Sequence, residues 1–406
     1  MILHDLDSGL LFIVLRRISM KVEVIVPAVA AESSGPSYSV PGLCRGLAAS
    51  QVDVTLHVLS PVPKLDGDFR VSSYPRHTFP HPRFGRSPEM LKGLYESATV
   101  TDVIHNNSLW MFPNVYSDWA IKRMRRNGWV KIPKIVNAPR GTLAQWSLEH
   151  SKWRKKLFGW YAQNVAVAHT DMFHATSQKE YEEIRAGGYK QPVAIVPIGM
   201  DLPTIQRIGA EGKRRVAFFG RLHKVKAVDN LILAWDKLMQ SSKRLSSDWE
   251  LLIAGPDCGV KTDLENLVRN RKLDNVRFVG EINGAEKYDF LARADVYVLP
   301  SLTENFGITL AEALACGTPC IASHGTPWSG LEEERAGRWI PIGVEPLAEA
   351  LKDMISKSDD ERRLMGERGR AWIERDFSWR GIGEKMKQSY EWLLGRSDKP
   401  EWVVCE

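Results

Sequence analysis

The sequence predicts an α/β protein built from two Rossmann-like α/β/α domains, and three observations lead there. Short apolar runs ending in Gly or Pro alternate with stretches of helical period from residue 20 to about residue 395, which is how a parallel sheet with helices on both faces reads. At 406 residues the chain has room for two cores of roughly 150–200 residues each. A polar stretch without period, residues 202–214, interrupts the alternation midway and reads as a linker. Domains are therefore expected at 20–205 and 206–376, with 1–19 an N-terminal extension and 377–406 a C-terminal helical tail.

Residues 1–19 hold a short apolar run, Gly9 to Leu15, followed by Arg16 and Arg17. It is too short to span a bilayer, and its charges lie on the wrong side for a signal peptide. An upstream-start extension, an added strand and a small anchor all fit. Lys21 to Pro27 is a buried-type strand, and a small-residue loop, Ala28 to Ser37, leads through Gly35 and Pro36 into a helix carrying Val40, Leu43 and Leu47. This is how nucleotide-binding α/β domains open. The dinucleotide pattern Gly-x-Gly-x-x-Gly is missing, which disfavours a dehydrogenase. Strands follow at 52–59, 103–105, 132–137, 173–177 and 193–197, with helices near 88–98, 113–127 and 178–186.

The second domain restarts the alternation. Strands are expected at 216–220, 249–254, 276–279, 295–299, 318–322 and 338–341, with a helix at 228–239 and an amphipathic stretch from Phe377 to Trp392. The chemistry concentrates after the strand ending at Pro300. A polar turn, Ser301 to Asn305, runs into a helix that begins near Gly307 and carries Ile308, Leu310, Ala311 and Leu314. In open α/β sheets ligands bind beyond the carboxyl ends of the strands. The N–H groups of Phe306, Gly307, Ile308 and Thr309 would be the unpaired donors of this helix and suit phosphate or sugar oxygens. Glu304 and Glu312 flank that site, and carboxylates accept hydrogen bonds from vicinal hydroxyls. The plainer alternative makes Glu304 a helix-dipole partner and Glu312 a solvated helix residue.

A basic turn follows the first strand of this domain. Arg221 and Lys226 lie five residues apart after Gly220, spaced to converge on one diphosphate, the guanidinium by paired hydrogen bonds and the ammonium as a point charge. Gly255 closes the next strand in the same way. No Asp-x-Asp element stands at a strand end to hold a divalent ion, so no metal is expected.

These residues resemble the signature of the family 4 retaining glycosyltransferases, which have the GT-B architecture of two domains facing each other across a cleft. The matching segments are Glu304-Asn-Phe-Gly-Ile-x-x-x-Glu312-Ala and Gly220-Arg-x4-Lys226, with Ala227 where the family usually has Gly. The resemblance implies that Glu304 holds the donor sugar, Glu312 the ribose, and Arg221 and Lys226 the leaving diphosphate. The backbone from Asn305 to Thr309 would contact sugar and phosphate, and Gly35 would approach the phosphate from the opposite domain unless it is only a turn glycine. The implied reaction moves a hexose from a UDP- or GDP-linked donor to a hydroxyl of a glycan or lipid-linked glycan, without metal or cofactor, the nucleotide-sugar being a co-substrate. Residues 103–114 and 138–142 resemble a bacterial polysaccharide- and lipopolysaccharide-forming branch. Asn107 and Ser108 replace its His and Gly, and Arg140 stands where many members carry a histidine near the reacting sugar. His105 is either in the acceptor side of the site or a buried strand-end histidine.

Composition bounds the rest. The net charge of +6 is mild and partly gathered at Trp146 to Lys156, a basic, aromatic-rich helix suited to an anionic membrane surface or simply to a solvated face. No nucleic-acid-binding motif accompanies it. Five cysteines lack metal-type spacing, so buried reduced thiols and a cytoplasmic or inner-membrane-peripheral location are expected. The rival functions are a nucleotide-sugar epimerase or phosphorylase and a non-catalytic sugar-nucleotide-binding protein.

Overall fold

The structure, a computed structural model, describes residues 20–29, 35–79, 81–143, 164–205, 207–208, 212–241 and 247–406. The extension at 1–19 and the basic segment at 146–156 lie outside them, as does part of the linker.

The first lobe runs β1 (Lys21–Val26), α1 (Gly35–Ala49), β2 (Asp53–Leu59), β3 (Arg70–Tyr74), α2 (Pro88–Ala98), β4 (Val103–Asn107), α3 (Phe112–Arg126), β5 (Lys134–Ala138), α4 (Asn164–Ala168), β6 (Met172–Ala175), α5 (Gln178–Ala186) and β7 (Val193–Ile195). Its strands are parallel in the order β7-β6-β5-β4-β1-β2-β3. Strands covered on both faces read as continuous apolar runs. Val22, Val24, Ile25 and Val26 of β1 are accordingly all buried.

The second lobe runs β8 (Arg214–Phe219), α6 (Val228–Ser241), β9 (Trp249–Ala254), α7 (Lys261–Asn270), β10 (Val276–Gly280), α8 (Gly284–Ala292), β11 (Val296–Leu299), α9 (Ile308–Ala315), β12 (Cys320–Ser323), α10 (Gly330–Glu333), β13 (Gly337–Ile340), α11 (Val344–Ser356) and α12 (Asp359–Asp376). Its strands are also parallel, in the order β10-β9-β8-β11-β12-β13. The order reverses between β1 and β4 in one sheet and between β8 and β11 in the other, opening a crevice at the carboxyl ends of those strands. Two such crevices, one per lobe, position everything below.

The chain then returns to the first lobe. α13 (Trp379–Leu393) crosses α1, and β14 (Val403–Val404) pairs antiparallel with β7. The crossing is made by glycines. A Cβ on Gly46 would lie 2.2 Å from the Trp379 carbonyl oxygen, and one on Gly383 would lie 2.1 Å from the Gly46 backbone. Only hydrogen at both positions lets the two backbones touch.

Two strands went unforeseen, β3 and the two-residue β14, which lies within the stretch expected to be a helical tail. β3 is a largely exposed edge strand without a sustained apolar pattern, so nothing in its composition marks it. Cys44, Cys316 and Cys320 are buried and free, while Cys258 and Cys405 are exposed and free. No helix among the described residues is long and apolar enough to cross a membrane.

Candidate active site

The turns after β8 and β11 meet at the second lobe's strand-order reversal, which brings Lys226 of the basic pair to the acidic turn. Lys226 ends a short 3-10 turn, Lys224–Lys226. Its ammonium forms an ion pair with Glu304 Oε1, and the Ser301 hydroxyl donates to the same oxygen at 2.7 Å. The two charged side chains are 14% and 13% exposed, so the pair is largely shielded from water. Arg221 is exposed and forms no hydrogen bond or ion pair with the described residues. Ala227 sits at φ 48°, ψ 43°, the left-handed region. That accounts for the glycine usual there, since alanine bears about 1 kcal/mol of strain in this conformation.

Gly307 caps α9 at φ 81°, and a Cβ there would come within 3.0 Å of Leu299 Cδ2 and 3.3 Å of Trp328 Nε1. Glycine therefore lets the chain turn sharply from the strand into the helix. The N–H groups of residues 306–309 make no hydrogen bond to the described residues, as first-turn donors that an anion could fill. Side chains here serve other ends. The Phe306 ring packs against Trp328 and Phe377, and the Thr309 hydroxyl lies 2.7 Å from Tyr297 Oη. Asn305 Nδ2 donates to Thr176 Oγ1 of the first lobe at 3.0 Å, so its amide reaches across the cleft. Gly255 lies so close to the Gly220 carbonyl that a Cβ would sit 2.0 Å from its oxygen, which joins the turns after β8 and β9.

Glu312 is 3% exposed, which removes the reading of a solvated helix residue. Burial raises its pKa, and the Lys287 ammonium, 2.6 Å away, opposes that rise. Lys287 also lies 4.6 Å from the centre of the Tyr288 ring. Nothing at a spacing of 25 residues marks this pair in the sequence.

The first lobe presents Gly35 at the head of α1, exposed, and Arg140 in the turn after β5. Arg140 is held at φ 54°, and its Nε and Nη2 donate to Asn107 Oδ1 at 3.1 and 2.9 Å. Asn107, at the position where the resembling branch has histidine, thus orients the arginine. Burial lowers the Arg140 pKa, an effect that Glu180 opposes.

His105 is corrected to a core residue. It is fully buried; its Nδ1 lies 2.7 Å from Tyr390 Oη and its Nε2 lies 3.4 Å from His174 Nδ1. His174 Nε2 lies 2.8 Å from the Val196 carbonyl. Burial, with Arg140 nearby, pushes the His174 pKa down to about 3, and burial beside His174 pushes that of His105 well below the usual range. Both are neutral rings beneath the Arg140 turn. Among the described residues no cluster of His, Cys, Asp or Glu is arranged to hold a metal ion.

A family model described as glycosyl transferases group 1 matches residues 204–372, and one described as a glycosyl transferase 4-like domain matches residues 34–199. D-inositol 3-phosphate glycosyltransferase of Salinispora tropica is 34% identical over 170 residues, 40% of this chain and 35% of that protein. The matched region spans about a third to a half of the length of such curated relatives. Among solved structures, sucrose-phosphate synthase from Thermosynechococcus elongatus superposes with a TM-score of 0.70 at 21% identity, over 93% of this chain and 100% of that one. Anabaena HepE in complex with UDP gives 0.69 at 16% identity, over 91% and 99%. Likeness at these identities speaks for the fold alone. With one model on each lobe and the fold shared with solved GT-B enzymes, the chain belongs to the group 1, 4-like family of glycosyltransferases.

Proposed function

We propose that the protein is a retaining glycosyltransferase that moves a hexose from a UDP- or GDP-linked donor onto a glycan or lipid-linked glycan hydroxyl, without a divalent metal. The observation that carries the reading is the Lys226–Glu304 pair at the strand-order reversal, together with an Arg221 in the same turn that has no partner among the described residues and a helix start whose N–H groups at 306–309 have no acceptor among them. A diphosphate lying over that helix start would find one guanidinium, one ammonium and several aligned N–H donors. This supply of positive charge supports departure without a metal ion.

Glu304, beside the phosphates and anchored by Ser301, would hold sugar hydroxyls and orient the ring rather than attack it. Glu312, paired with the Lys287 ammonium, would accept from the ribose hydroxyls. In the reaction the bond from the anomeric carbon to the phosphate oxygen breaks and one to the acceptor oxygen forms on the same face. The acceptor's proton passes to the departing phosphate oxygen, leaving a nucleoside diphosphate. The resemblance of residues 103–114 and 138–142 supports a role in bacterial cell-surface polysaccharide or lipopolysaccharide assembly at the cytoplasmic face of the membrane.

A thermal-shift panel of UDP- and GDP-sugars, followed by transfer assays with the stabilising donor, tests the reading. The true donor stabilises by about 2.7 kcal/mol at a hundred times its Kd. A melting temperature unmoved by every nucleotide-sugar would refute it. Sugar released or isomerised without acceptor would point to the phosphorylase or epimerase alternative.

A further inference from the structure

α5 begins with Ser177 as its cap and Glu180 as its third residue, a spacing at which the carboxylate ordinarily folds back onto the cap's own N–H. Here it does something else. Glu180 Oε2 accepts from both the N–H and the hydroxyl of Thr176, at 2.7 and 2.8 Å, and Oε1 accepts from the N–H of Gly141 at 2.7 Å. The side chain is fully buried, and no cation among the described residues is hydrogen-bonded to it. A carboxylate is kept in such a place only when its lone pairs are filled.

The three bonds tie the turn after β5, which carries Arg140, to the turn after β6. Thr176 extends the chain outward. Its hydroxyl donates to Glu180 and accepts from Asn305 Nδ2 of the second lobe. A Cβ on Gly141 would lie 3.3 Å from that of Asn305, so the Arg140 turn itself abuts the donor turn. The bond directions are consistent from end to end, from the Asn305 amide to the Thr176 hydroxyl to the Glu180 carboxylate.

We propose that Glu180, Thr176 and Asn305 are positioning residues, a relay of hydrogen bonds that sets the Arg140 turn in register with Glu304 when the two lobes meet over the donor. This rests on the glycosyltransferase reading above and adds to it the device that aligns the acceptor lobe with the donor site. The side chains of the relay bond to one another and not to Arg221, Lys226 or Glu304, the groups assigned to the diphosphate and the sugar. Breaking it therefore costs turnover, not donor affinity.

Thr176→Val keeps the shape but removes the hydroxyl. It should lower kcat about tenfold, since a small misalignment of reacting groups is enough for that, with donor KM and UDP or GDP affinity changed less than about twofold. Thr176→Ser should restore kcat, because its hydroxyl can make both bonds. Asn305→Ala should match Thr176→Val, and the double variant should be no slower than Thr176→Val, since both remove the Asn305–Thr176 bond that joins the lobes. Lys179→Ala is the control. It removes a different contact between the lobes, the 2.6 Å bond to Thr303 Oγ1, and should leave kcat nearer wild type. Multiplying losses in the double variant, a Thr176→Ser enzyme as slow as Thr176→Val, or a fall in diphosphate affinity would each overturn the relay. Hydrogen exchange reads it without turnover. With UDP or GDP present, Asn305→Ala should speed exchange of the Gly141 amide about tenfold, and unchanged protection overturns the relay whatever the protein transfers. Absence of transfer by the wild type would sink the functional reading alone.

Discussion

Lys226→Met separates the two tasks the lysine can have, holding Glu304 and holding phosphate. In the unliganded site its ammonium is paired with Glu304, and both side chains are more than four-fifths shielded. Two unit charges about 4 Å apart interact by about 4 kcal/mol at an effective dielectric of about 20. Much of this is cancelled by desolvation, yet deleting one member of a shielded pair strands the other at about 3 kcal/mol. A fall in melting temperature of about 5 °C or more is expected. Adding Glu304→Gln removes the stranded charge and should recover most of that loss. The diphosphate behaves differently. A charge-assisted hydrogen bond contributes about 1.5–3 kcal/mol, so losing the ammonium should weaken UDP or GDP binding roughly tenfold to a hundredfold. That loss should persist in Lys226→Met/Glu304→Gln, because no cation returns. Differential scanning fluorimetry and isothermal titration at one fixed ionic strength give both readouts. A double variant that regains diphosphate affinity together with its melting temperature would refute the reasoning, since Lys226 would then serve only to neutralise Glu304.

Three further outcomes are expected. Arg221→Ala, at an exposed side chain without a described partner, should leave the melting temperature within about 1 °C, while turnover falls about a hundredfold through loss of leaving-group stabilisation. Equal turnover would remove Arg221 from the site. The unfolded chain takes up a proton at His174 near pH 6.5 that the folded site refuses until about pH 3, so stability should fall as pH drops through that window, by at most about 1.4 kcal/mol per unit from this group. His174→Gln should flatten the slope of unfolding free energy against pH between about 6.5 and 4, and an unchanged slope would show that the ring is not the group responsible. Gly383→Ala forces a Cβ to within 2.1 Å of the Gly46 backbone, so α13 must lift from α1. A loss of about 1–3 kcal/mol is expected, together with faster proteolysis near Phe377, and wild-type resistance would contradict the crossing.

What the sequence disclosed was local, and what it withheld was not. Glu304 and Glu312 stand on one strand, turn and helix, and Arg221 and Lys226 on another, so both pairs were readable as spaced residues in recognisable punctuation. Strand alternation likewise foretold two parallel sheets. The Lys226–Glu304 contact spans 78 positions, Lys287–Glu312 spans 25 and His105–Tyr390 spans 285, and no periodicity encodes such meetings. They are set by strand order, which patterning does not specify. His105 shows the difference. A histidine at a strand end beside Asn106 and Asn107 looks chemical from its neighbours, but a helix from the far end of the sequence covers it. Glu180 was hidden in the opposite way, since a carboxylate in the first turn of a helix looks ordinary and its partners lie on other turns.

The return of residues 379–404 to the first sheet bears on how the polypeptide is made. Translation delivers β1 to β7 long before α13 and β14 emerge. Until then β7 has a bare edge, the groove along α1 is unfilled, and the rings of His105 and His174 lack their cover. The two halves are thus not beads that mature one after the other. The earlier one waits for the later, and while it waits its open edge offers a pairing site to other nascent chains.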